Sequence, residues 1–232
     1  MDTVSRTILV VDDEAAIRRV LRQYLEADNH RVIEADTGRA ALRLLEQEHV
    51  DLVLLDIGLP DLDGFQVLSA LRRTLSTYVM VVSARTEETD KLVGLNVGAD
   101  DYVTKPFSVR EVAARINAVF RRMDNAREET DDVLRFGGLT ITPEAREVRL
   151  GDSPVELSAL DFDLLLALAS RPGRVWSRQQ LLEHVWGYDF YGDDRVVDVH
   201  IRTIRRALGE DADAPRFIAT VRGAGYKFVG RP

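Results

Sequence analysis

The sequence has no cysteine. Neither a disulfide framework nor a thiolate metal site can be built from it. No apolar run approaches the ~20 residues that span a bilayer. The start, Met1-Asp-Thr-Val-Ser-Arg6, lacks the basic-then-apolar layout of a signal peptide. A cytoplasmic location with no membrane partner is the expectation. Lysine is scarce as well: only Lys91, Lys105 and Lys227 interrupt a basic complement that is otherwise arginine. Net positive charge is also missing, since the chain carries −8. That balance argues against nucleic-acid binding until its distribution is examined.

The charge is uneven. Residues 1–124 hold 21 acids and 16 bases, residues 125–132 hold 4 and 1, and residues 133–232 hold 14 and 14. An acidic front half precedes a neutral back half with many of its bases after Arg195. The 232 residues suit one large domain or two ordinary ones. Residues 124–132 contain no apolar side chain larger than alanine, so they read as a solvated linker with helical spill-over at its start. The expected division is 1–123, linker 124–132, and 133–232.

The front half alternates apolar runs with helical periodicity. Ile8–Val11, Arg31–Glu34, Leu52–Leu55, Tyr78–Val82 and 101–104 read as strands; helices are predicted from Glu14, over 38–48, from Phe65, over about 87–97 and from Ser108. Five βα units in this order predict a doubly wound five-stranded parallel sheet. Ligand and catalytic groups gather at the carboxyl ends of such strands. Those ends carry Asp12-Asp13, Asp56, Ser83 and Lys105. Three carboxylates in one small site repel by roughly 4 kcal/mol per pair at about 4 Å and an effective dielectric near 20. A hard divalent cation or a lysine must compensate. With a cation held by some of the acids, one carboxylate is left as a nucleophile towards phosphorus. Ser83 can donate to a phosphoryl oxygen. The Lys105–Pro106 bond is free to be cis. Asp61-Leu-Asp63-Gly64 superficially suggests a calcium loop, but the required glutamate is Ala70; Pro60 and Gly64 read as turn punctuation.

The back half predicts short strands at Leu134–Ile141, Glu147–Leu150 and Val155–Leu157. Helices follow from Ser158 to Leu168, from Ser177 (a capping box with Gln180) to Val185, and over 194–208, before a terminal hairpin around Gly223-Ala-Gly225. This is an α+β winged helix-turn-helix. At about 100° per residue, Val197, Ile201, Ile204 and Leu208 of the third helix share a dry stripe. Arg195, Val199, Arg202, Thr203 and Arg206 lie opposite, the layout of a helix in the major groove.

Asp12-Asp13, Asp56, Ser83 and Lys105-Pro106, at these strand ends, resemble the flavodoxin-like receiver domain of two-component response regulators. The resemblance implies that Asp56 accepts a phosphoryl group from a sensor histidine kinase. It implies Mg²⁺ held by Asp12, Asp13, Asp56 and the backbone carbonyl of Gly58, and a phosphoryl group bound by Ser83 and Lys105. Tyr102 falls at the switch-aromatic position. Val197-Asp-Val-His-Ile-Arg202 and Thr220-Val-Arg-Gly-Ala-Gly-Tyr226 resemble the OmpR/PhoB-type winged-helix effector. Candidate DNA contacts are therefore Arg195, Val199, His200, Arg202, Thr203 and Arg206, with Arg222 of the wing in the minor groove. Thr203 stands where some relatives place an arginine. The family dimerises through ion pairs to which Lys91, Asp101, Glu111, Arg115 and Arg122 correspond; Asn96 and Asn117 are neutral where relatives are often charged.

The reading is a DNA-binding regulator that phosphorylation switches. It pairs as a homodimer on a direct-repeat operator, with RNA polymerase a further partner, and catalyses nothing beyond its own aspartyl phosphorylation and dephosphorylation. Two alternatives stay open: a phosphorylation-independent DNA-binding regulator with a structural acidic site, and a metal-dependent phosphohydrolase. Against the last, no general base stands beside Asp56.

Overall fold

The computed structural model describes residues 5–72, 77–84, 97–129, 133–187 and 194–231. The helix expected over about 87–97, with Lys91 and Asn96, lies outside the described residues except at its last position. The chain forms two compact units, Met1–Ala114 and Arg115–Pro232.

The first unit is built on five parallel strands: β1 (Thr7–Val11), β2 (Arg31–Ala35), β3 (Leu52–Asp56), β4 (Tyr78–Ser83) and β5 (Asp101–Thr104), in the spatial order β2-β1-β3-β4-β5. Every residue of β3 and β4 is buried. That is why their sequences are continuous apolar runs with no alternation, as in a sheet covered on both faces. Helices α1 (Ala15–Ala27), α2 (Gly38–Gln47) and α3 (Gly64–Leu71) connect the strands, and α4 (Val109–Glu129) follows β5. Leu21 and Leu25 of α1, Ala41 and Leu45 of α2, and Val67, Leu68 and Leu71 of α3 form their buried faces. Thr37 and Asp63 cap α2 and α3 by accepting from backbone amides. Helix α4 runs as far as Glu129, so the spill-over expected at the start of the 124–132 stretch covers most of it. The chain order reverses between β1 and β3, and the crevice at their carboxyl ends is where such folds bind ligands.

The second unit takes α4 from Arg115 onward and continues with an antiparallel sheet of β6 (Leu134–Phe136), β7 (Leu139–Thr142), β8 (Glu147–Leu150) and β9 (Ser153–Pro154). The single strand expected over Leu134–Ile141 is a hairpin instead. Gly137 and Gly138 both take positive φ, the condition for a tight two-residue turn. The strand expected at Val155–Leu157 is displaced to Ser153–Pro154. Helices α5 (Ala159–Ala169), α6 (Arg178–Val185) and α7 (Arg195–Ala207) come next. The wing closes the unit with β10 (Ile218–Val221) and β11 (Gly225–Phe228). The Ser177–Gln180 capping box forms as predicted. Helix α5 is buried almost all round, which fits its run of leucine and alanine. Val197, Ile201, Ile204 and Leu208 are all buried, the stripe read from the sequence.

Candidate functional site

The register of β1 on β3 pairs Val11 with Leu55. Continued by one residue, it sets Asp12 opposite Asp56. Oxygens of Asp12, Asp13 and Asp56 all lie within 4.8 Å of one another. Lys105 follows β5, beyond the Ser83–Thr104 pair, and its backbone amide donates to the Ser83 carbonyl at 2.7 Å. The bond to Pro106 is cis. The Lys105 ammonium stands between two carboxylates, 2.8 Å from Asp12 Oδ2 and 2.7 Å from Asp56 Oδ2, with Glu14 Oε1 at 3.5 Å. The remaining oxygens are also held: Asp12 Oδ1 accepts from the Glu14 amide and Asp56 Oδ1 from the Gly58 amide, both at 2.9 Å. Ser83 is buried beside this group at the end of β4, and Tyr102 on β5 is half-buried.

Burial and the ion pairs oppose each other at this site. Burial pushes the Asp12 carboxyl above its ordinary value, although the hydrogen bond from Lys105 pulls the other way. Burial alone would lower the Lys105 ammonium. Its hydrogen bonds to Asp12 and Asp56 outweigh that and hold it above its ordinary value. The site is therefore an all-oxygen cluster with one internal cation that balances only part of the charge. Hard cations such as Mg²⁺ are suited to this donor set.

Three residues of this site escaped the sequence reading. Gly64 is more than turn punctuation: a Cβ there would lie 2.5 Å from Ile57 Cα and 2.6 Å from the Asp56 carbonyl oxygen. Only glycine lets α3 start directly against the end of β3. Asp61 reaches from the loop after Asp56 to the amides of Gly38 and Arg39 at 2.8 and 3.0 Å, and so covers the exposed donors at the start of α2. Arg18 donates to the carbonyls of Asp12 and Asp13. None of these has a periodicity signal.

The residues assigned to dimer contacts have mixed placements. Glu111 and Arg115 are half-exposed on α4. Asp101 is buried, and its carboxylate accepts from the Tyr102 amide at 2.7 Å. Lys91 and the side chain of Arg122 lie outside the described residues.

In the second unit Arg195, Arg202 and Arg206 are exposed on α7, Thr203 is half-exposed, and Arg222 is exposed on the wing. His200 is corrected. It is only 2% exposed, and its Nδ1 lies 2.8 Å from Asp161 Oδ1 on α5, with the Trp186 ring packed against the imidazole. It ties α7 to α5 and presents no edge to a ligand. Val199 is corrected as well, because 9% exposure leaves little methyl surface to offer. A helical wheel counts only its own helix and cannot register what packs on it.

The wing is fixed to α7 by polar bonds absent from the sequence reading. Tyr226 Oη donates to Asp198 Oδ1 at 2.6 Å, and Arg178 Nε lies 2.7 Å from the same oxygen. Arg205 donates to the Ile218 carbonyl and to Thr220 Oγ1. Burial, then the bond to Asp198, pushes the Tyr226 hydroxyl up to about 12.

Comparison with known proteins covers both units. Residues 8–117 match the family described as "Response regulator receiver domain", and residues 152–228 match "Transcriptional regulatory protein, C terminal". The chain is similar to the phosphate regulon transcriptional regulatory protein PhoB of Klebsiella pneumoniae, 44% identical over 98% of this chain and 100% of that protein. Among solved structures, a RitR mutant aligns with TM-score 0.80 and 30% identity over 97% of this chain and 99% of that one. DrrB of Thermotoga maritima, an OmpR/PhoB homologue, aligns with TM-score 0.52 and 33% identity over 98% and 100%.

Proposed function

Since the chain belongs to the OmpR/PhoB family of two-component response regulators and is a phosphorylation-controlled transcriptional regulator, we propose that Asp56 is its phosphoryl acceptor. Asp12, Asp13 and Asp56, with the Gly58 carbonyl, are the groups that would hold Mg²⁺. The cation would offset carboxylate and phosphoryl charge when bound. A carboxylate oxygen of Asp56 forms the P–O bond as the P–N bond of a kinase phosphohistidine breaks. The electron pair leaves with the imidazole, which is reprotonated from solvent. Lys105 and Ser83 then bind the new phosphoryl oxygens. Phosphorylation adds about −1.5 to −2 charges and three acceptor oxygens. The observation that carries this reading is the position of Lys105, whose single ammonium bridges Asp12 and Asp56. It can follow a phosphoryl group on Asp56 without leaving the site.

The output is proposed to be DNA binding through the exposed face of α7 and the wing. Arg195, Arg202, Thr203 and Arg206 would lie in the major groove, and Arg222 in the minor groove. Two chains would pair through the receiver, with residues 124–132 joining the halves. Pairing raises the effective concentration of the second winged helix at a direct-repeat operator. Each exposed ion pair between receivers contributes only ~0.2–1 kcal/mol, so the neutral Asn96 and Asn117 weaken the dimer without abolishing it.

The test is binding to a genomic fragment pool with and without beryllofluoride plus Mg²⁺, on wild type and Asp56→Asn. Tighter, dimer-linked binding in activated wild type alone is expected. Equal binding in all four conditions would leave a phosphorylation-independent DNA-binding protein.

A further inference from the structure

The loop between β1 and α1 carries two of the three clustered carboxylates, and a single side chain grips it from the helix. Arg18, one turn into α1, donates from Nη1 to the carbonyl of Asp12 at 2.7 Å and to that of Asp13 at 3.1 Å. Its Nε faces Glu34 Oε2 on β2 at 3.2 Å. The other oxygen of Glu34 is 2.9 Å from Arg22 Nε, and Arg22 also donates to the Val32 carbonyl. The Arg18 side chain is 15% exposed, so these bonds are partly shielded from water. The N-terminus of α1 has no side-chain cap to steady the loop, because Glu14 makes none.

We propose that Arg18 is a positioning residue for the metal site. Its guanidinium fixes the backbone of Asp12 and Asp13, so that their carboxylates converge with Asp56 before any cation arrives. Besides its bond from Lys105, Asp12 is then held at three further points: its amide donates to the Ala35 carbonyl on β2 at 3.2 Å, its carbonyl accepts from Arg18, and its Oδ1 accepts from Glu14 N. The inference rests on the Mg²⁺ reading given above. Outer partners that orient metal ligands typically change affinity 10–100-fold when removed. The geometry demands arginine: one planar fork serves both carbonyls while Nε serves a carboxylate, and a lysine offers only a point charge.

Two other roles make different forecasts. If Arg18 acted on the metal only through its charge, removing it would tighten Mg²⁺ binding by relieving repulsion. If it merely tied α1 to β2, breaking its ion pair from the other end would be equivalent. The experiment is calorimetric titration of the full chain with Mg²⁺, comparing wild type, Arg18→Gln, Arg18→Lys and Glu34→Gln. It is paired with amide hydrogen exchange on the metal-free proteins. The expected result is that Arg18→Gln binds Mg²⁺ about 10-fold or more weakly and Arg18→Lys several-fold weakly, while Glu34→Gln stays near wild type. Exchange should accelerate at Asp12 and Glu14, whose amides are the bonded ones of this loop, with α1 and β2 still protected. Arg18→Gln binding as tightly as wild type, or more tightly, overturns the proposal, and so does an equal loss in Glu34→Gln. If Arg18→Gln does not fold, Arg18→Lys decides the matter, and wild-type affinity in it counts against the proposal. A wild-type chain that binds no Mg²⁺ fails at the earlier step and removes the metal reading itself.

Discussion

Replacing Lys105 by methionine would leave two buried carboxylates facing each other without their shared cation. The side chains of Asp12 and Asp56 are 4% and 7% exposed, and Lys105 is 14% exposed. Each contact at 2.7–2.8 Å is therefore poorly screened. At an effective dielectric near 20, unit charges about 4 Å apart interact by roughly 4 kcal/mol, and desolvation offsets much of any attraction. Removing one partner of a buried pair typically costs about 3–5 kcal/mol, because the other charge stays behind. We expect a loss of that size in metal-free buffer at pH 7. Mg²⁺ should stabilise the variant more than wild type, since no ammonium competes for the site; saturation at 100 times Kd is worth about 2.7 kcal/mol. The pH dependence has a fixed sign. Burial holds the Asp12 pKa above its ordinary value, and without Lys105 it goes higher. A raised carboxyl contributes stability below its unfolded pKa and loses it as pH rises through the folded value. The deficit should thus be small in acid and grow towards neutrality. The assay is urea unfolding followed by far-UV circular dichroism. Fluorescence of the two tryptophans, Trp176 and Trp186, serves as internal control, because both lie in the second unit and should report no change. A first transition within about 0.5 kcal/mol of wild type at pH 7 without metal would refute the reasoning, since that is the range of an inert surface substitution.

Other substitutions probe the remaining geometry. Gly64→Ala drives a methyl group into Ile57 Cα and the Asp56 carbonyl oxygen; overpacking of this kind costs about 1–3 kcal/mol, so a lower melting temperature and slower phosphorylation by acetyl phosphate should appear together. Tyr226 keeps its proton to about pH 12, so the stability it gives is complete below pH ~10 and is lost between about 10 and 12. The stability difference between wild type and Tyr226→Phe should be constant below pH ~10 and change between about 10 and 12, and a constant difference across that window would contradict the burial argument. Arg206→Ala should weaken binding to all DNA sequences and reduce the salt slope by about one phosphate contact. His200→Ala should lower stability and leave the salt slope unchanged, because the imidazole faces Asp161; a changed slope would return His200 to the DNA face.

The five-stranded sheet was legible because its central strands β1, β3 and β4 carry uninterrupted apolar runs, and a chain buried on both faces has little other composition open to it. The site was legible for a related reason: Asp12, Asp56 and Ser83 stand where those runs end, Lys105 follows β5, and parallel strands bring their ends together. The stripe of α7 could be read because the period of a helix fixes the direction of every side chain relative to its own axis. What was missed is of a different kind. The turn at Gly137–Gly138 was read through as strand. Gly64 looked like turn punctuation, and Asp61 and Arg18 carried no signal, since their importance lies in atoms tens of residues away or in backbone carbonyls that the sequence does not display.

The sequence by itself therefore determined the elements, their order and the chemistry at the strand ends, because periodicity and apolar runs are local properties of the chain. Only the tertiary structure decided which groups hold that chemistry in place. It set Lys105 between two carboxylates, closed α3 against Asp56 through Gly64, and turned His200 inward to Asp161. Each of these depends on the distance between separate elements, and no single element encodes that distance.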